Sequence, residues 1–66
     1  MAWHSTGRRE ELLVMLTGRV SLEVRQDARL AIHPVMAGQC IFLPRRVEHR
    51  VVNRAAIAAQ YLYVTG

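Results

Sequence analysis

Residues 1–66 read as one all-β domain, a small sandwich or barrel, on two observations. Polar and apolar residues alternate with period two through much of the chain. Short strand-like runs also recur at intervals of about 8 to 12 residues, separated by turn formers.

The first run, Glu10–Thr17, contains good helix formers, and Gly18 would suit a helix C-terminus. Two helical turns are marginal, however, and Gly18 equally well opens a turn, so a strand is expected. It places Glu11, Leu13, Met15 and Thr17 on one face and Leu12, Val14 and Leu16 on the other, so both faces need cover. From Arg19 to Arg25 alternation is strict, with Val20, Leu22 and Val24 opposite Arg19, Ser21, Glu23 and Arg25. After Gln26 and Asp27 it resumes: Ala28, Leu30 and Ile32 face one way, and Arg29, Ala31 and an outward, surface His33 the other. The two runs predict a hairpin, although its turn lacks Asn-Gly or Asp-Gly. Cys40–Leu43 is a short apolar strand stopped by Pro44, with Cys40 and Phe42 expected to pack inward. A charged loop, Arg45–Glu48, leads to a strand in which His49, Val51 and Asn53 share a face. The last run, Ile57–Val64, contains Tyr61, Tyr63 and Val64, which favours a strand.

A chain of this length buries only about 60% of its unfolded surface, so its stability calls for support from a metal, a disulfide or a second subunit. The single cysteine, Cys40, excludes an internal disulfide and suits a reducing compartment, and residues 1–9 do not resemble a signal peptide. A cytoplasmic location is therefore expected. The longest apolar run, Leu12–Leu16, is far short of the roughly 18 to 20 residues that span a bilayer as a helix. The net charge of +4 comes from nine arginines, with no lysine, against five acidic residues. The arginines are scattered rather than clustered, which argues against nucleic acid as the partner but admits an anionic small molecule.

Two spacings stand out. In the first, one residue separates His4 from Thr6, four separate Thr6 from Glu11, and six separate Glu11 from Gly18. In the second, five residues separate Gly38 from Pro44, four separate Pro44 from His49, and three separate His49 from Asn53. Together they resemble the two signature motifs of the cupin superfamily, over most of the chain. At average composition the second spacing arises by chance about once in 10⁵ registers. The resemblance implies a small cupin-like double-stranded β-helix, a jelly-roll barrel or sandwich truncated at the N-terminus, with His4, Glu11 and His49 as metal ligands pointing inside. Gly18, Gly38, Pro44 and Asn53 would be structural motif positions. Thr6 stands where the family has a second histidine, and Arg46 where it has a glycine after Pro44.

Two imidazoles and a carboxylate suit a divalent transition metal such as Fe, Mn, Ni or Zn. An inward Glu11 needs a cationic neighbour in any case, because an unpaired buried carboxylate is expensive. Thr6, Arg45 and Tyr61 are candidate substrate-binding residues, with Arg45 and Arg46 able to clamp a carboxylate or phosphate. Trp3 could line a pocket or cap an interface. Three functions remain open: a module binding an anionic or sugar-like small molecule, with or without a metal; a metal-dependent enzyme of the dioxygenase or isomerase type; and a structural or regulatory interaction protein. Uncovered apolar faces lead us to expect a homodimer or higher oligomer.

Overall fold

A computed structural model of the chain describes residues 3–66. Seven strands follow one another: β1 (His4–Ser5), β2 (Glu11–Thr17), β3 (Arg19–Gln26), β4 (Arg29–Met36), β5 (Cys40–Leu43), β6 (Glu48–Val52) and β7 (Gln60–Thr65). They form two antiparallel sheets, one ordered β1-β6-β3-β4 and the other β5-β2-β7. No described residue is helical, so no helix is long and apolar enough to cross a membrane. The segment with helix-forming composition is β2, the central strand of its sheet, because hydrogen bonding to β5 and β7 overrides local propensity.

The sheets pack face to face around Leu13, Met15, Val20, Leu22, Val35, Leu43, Val47 and Val51. Alternation supplies this core. Leu13 and Met15 point inward from β2, Val20 and Leu22 from β3, and Val51 from β6 opposite Leu22. The expected barrel does not close: the described strands make two open sheets, each with its own edges.

The β3–β4 hairpin corrects the sequence reading. Gln26 pairs with Arg29, so the loop is the two residues Asp27 and Ala28, and both have positive φ, at 50° and 62°. That is the type I′ shape whose twist matches the strands it joins, formed here without glycine. Opposed residues share a face. Leu30 therefore sits with Arg25 and Ile32 with Glu23 on the outer surface, while His33 takes the inner register beside Leu22. His33 is nonetheless exposed, at the margin of the sandwich. Cys40 and Phe42 also depart from expectation, since both are exposed. They lie on the outer face of β5-β2-β7, where Phe42 pairs with Leu12 and Cys40 with Val14.

Candidate functional site

His49 lies on β6, inside the four-stranded sheet, opposite Val24 on one side and His4 on the other. Its side chain is fully buried. The loop before it is fixed by Thr6, whose hydroxyl donates to the Pro44 carbonyl at 2.8 Å and accepts the Val47 N–H at 3.0 Å. The backbone reinforces this seat, with Thr6 N–H donating to the Val47 carbonyl and Arg46 N–H to that of Gly7. Arg46, where the family pattern has glycine, adopts φ 60°. This is the left-handed region that favours glycine, here occupied by an arginine.

Glu11 approaches from the opposite sheet. It opens β2 and faces inward between Leu43 and Thr65, its Oε1 3.2 Å from His49 Nε2. The contact lies close enough for an ion pair but is not aligned as a hydrogen bond, and both atoms are buried without another partner. On the far side of the ring, Nδ1 lies 3.2 Å from the Val47 carbonyl. A carbonyl only accepts, so Nδ1 carries a proton there, and a ring with that proton alone would turn the Nε2 lone pair toward the carboxylate. Two lone-pair-bearing atoms at that distance repel unless a cation, a second ring proton or a metal ion, lies between them.

Tyr63, from β7, completes the interior. Its ring centroid is 6.3 Å from that of His49, and its hydroxyl is buried with no partner. Burial pushes the phenol up to about 12, with neighbouring Tyr61 and the Glu11 charge adding to the effect, so it stays a neutral donor at physiological pH. His4 lies at the rim, exposed, with its ring tilted against His49 at 4.2 Å.

His4 therefore meets His49, and His49 meets Glu11, across the two sheets. A metal fits this cluster in part. The opposed Glu11 and His49 atoms suit a cation, and a metal-ligating histidine is usually oriented by donating its other ring N–H to a carbonyl or carboxylate, as Nδ1 can to Val47. Among the described residues, however, no three His, Cys, Asp or Glu side chains are disposed to hold a metal ion. Further coordination would have to come from a ligand or solvent.

The other candidates are dispersed. Thr6 is 6% exposed with its hydroxyl committed to the backbone. Arg45 is exposed on the β5–β6 loop. Tyr61 is half-buried, edge-on to Tyr63 at 5.8 Å. Gly38, at φ +87°, turns β4 into β5 and donates its N–H to the Met15 carbonyl. Gly18, Pro44 and Asn53 all lie in connections.

Two features escaped the sequence reading. Tyr63 shares the inward face with Tyr61, and counting alternate positions along β7 would have found it. Glu23, on the outer face of β3, is only 2% exposed because Arg50 and Arg54 both bond its carboxylate. The Arg50 hydrogen bond, with help from Arg54, holds that carboxyl below its ordinary range against the opposing effect of burial. Trp3 lies over the same surface, its ring 4.3 Å from the Arg25 guanidinium and 4.8 Å from that of Arg50.

No protein-family model, curated protein or solved structure matches the chain.

Proposed function

We propose that the chain is a small cupin-like binding module, in which Glu11 and His49 hold a divalent cation that helps take up a small polar or anionic molecule. The observation behind this reading is the buried approach of Glu11 Oε1 to His49 Nε2 at 3.2 Å, with neither atom hydrogen-bonded. The cation would supply a Lewis-acidic point for an anionic ligand. Tyr63 contributes a neutral hydroxyl donor and His4 an imidazole at the exposed rim. Two protein donors hold a metal weakly, so cation and ligand are expected to bind cooperatively.

The test is metal uptake by tag-free chain offered Fe(II), Mn(II), Ni(II) or Zn(II), with and without citrate as a model anion. About one ion per chain is expected, lost in His49→Ala and Glu11→Gln. No uptake of any of the four ions would overturn the proposal.

A second reading rests on the lack of a third protein donor among the described residues. Here Glu11 and a doubly protonated His49 form a structural ion pair, and the site takes no metal. A metal-dependent dioxygenase or isomerase would need the same ion plus open coordination positions, so it depends on the first reading. The module reading also includes self-association. Phe42, Leu62 and Val64 are each about half exposed on the outer side of β5-β2-β7, and a second copy is the partner expected there. A stable monomer in sedimentation at micromolar concentration would refute that part.

A further inference from the structure

A separate cleft lies where the start of β3 meets the loop between β6 and β7. Asn53 shapes that loop: its Oδ1 accepts the Ala55 N–H at 3.0 Å, and its Nδ2 donates to the Ile57 carbonyl at 3.2 Å. Gly18 seats the loop. At φ +75°, a Cβ added there would come within 3.1 Å of the Ala58 carbonyl oxygen and the Ala59 Cα, so only glycine lets the two backbones approach this closely. The space between is made of two adjoining cavities of about 290 and 500 Å³, which share Arg19, Met36, Arg54 and Ala55. One reaches Pro34 and the other Ile57. Single-ligand sites commonly measure roughly 300 to 1,000 Å³.

The lining has two characters. Met36 and Ile57 are 53% and 75% exposed, an apolar surface open to solvent. No acidic side chain lines either cavity, whereas two guanidiniums do. Arg19 forms no ion pair among the described residues. Arg54 shares the Glu23 carboxylate with Arg50, and one carboxylate between two guanidiniums leaves a positive charge over. Positive charge beside exposed hydrocarbon suits a ligand with an anionic head and an apolar body.

We infer that this cleft binds a small amphipathic carboxylate, with its head on Arg19 and Arg54 and its hydrocarbon against Met36 and Ile57. The site shares no residue with the Glu11–His49 cluster and does not depend on it.

The probe is octanoate, added to the full chain and followed by calorimetry and amide chemical shifts. Octanol supplies the tail without the charge, and acetate the head without the tail. Octanoate is expected to bind saturably, one per chain, with shifts centred on residues 18–21, 34–36 and 54–57. Octanol and acetate should each bind at least about tenfold more weakly, the ratio expected for losing a charged hydrogen-bonded contact or most of the apolar one. Arg19→Gln should weaken octanoate by a similar factor, and Glu11→Gln should leave it unchanged. Raising salt from 20 to 300 mM should weaken octanoate but not octanol, a reading on the unaltered chain that no folding defect can mimic. Equal affinity for octanol and octanoate, salt-independent binding, or shifts centred on Phe42 and Leu62 would overturn the assignment.

Discussion

Replacing Thr6 by valine keeps the shape of the side chain and removes one hydroxyl that satisfies two backbone groups. Pro44 is exposed, so water can replace the lost 2.8 Å bond to its carbonyl, and the net cost there is about 1 kcal/mol. Val47 is only 3% exposed, so its N–H, bonded to the hydroxyl at 3.0 Å, is left buried and unsatisfied at a cost of about 1 to 2 kcal/mol. Together these give about 2 to 3 kcal/mol. At the usual 0.05 to 0.15 kcal/mol per residue, a chain of 66 residues has only about 3 to 10 kcal/mol in total. Urea unfolding should therefore show Thr6→Val with a far lower midpoint and an unchanged slope, and its melting temperature should fall by about 10 to 20 °C. Thr6→Ser keeps both bonds and loses one methyl, so it should cost about 1 kcal/mol or less. If Thr6→Val matched Thr6→Ser to within about 0.5 kcal/mol, the hydroxyl would not be bracing the loop that presents His49.

Arg46→Gly should stabilise the fold by about 0.5 to 1 kcal/mol. The relief of a left-handed non-glycine residue, about 1 to 2 kcal/mol, is partly offset by the greater freedom of glycine in the unfolded chain, and the urea midpoint reads the difference. Tyr63 makes stability depend on alkaline pH. Its folded value of about 12 exceeds the ordinary 10.0, so above pH 10 the native state keeps a proton that the unfolded chain loses. Its contribution is complete below pH 10 and is lost as pH rises toward 12. Urea midpoints should decline over that window, and Tyr63→Phe should flatten the decline; an equal slope in both proteins would contradict this.

The strands were legible because alternation is strict in Arg19–Arg25 and the turns carry Gly38 and Pro44. Even so, the facing of β4 was misread. A two-residue loop at Asp27 and Ala28 sets the phase of pairing, and neither Asn-Gly nor Asp-Gly was present to reveal it. The outward orientation of Phe42 and Cys40 follows from their pairing with Leu12 and Val14, which only the sheet order discloses. For the site, the resemblance implied that His4, Glu11 and His49 all point inside a barrel; the chain brings His49 against each of the other two, but His4 sits exposed at the rim and the sheets stay open. The tautomer of His49 depends on the Val47 carbonyl, a backbone group that no side-chain pattern encodes. Glu23 looked like a solvated residue because the two arginines that cover it lie 27 and 31 positions away in the chain.

Paramagnetic broadening of amide and imidazole resonances by stoichiometric Mn(II) reads the location of the bound ion directly. If Glu11 and His49 hold the cation, signals from residues 4, 11, 49 and 63 broaden first and together, and His49→Ala abolishes the effect. Broadening that instead begins at surface carboxylates such as Asp27 or Glu48, and survives His49→Ala, would contradict it.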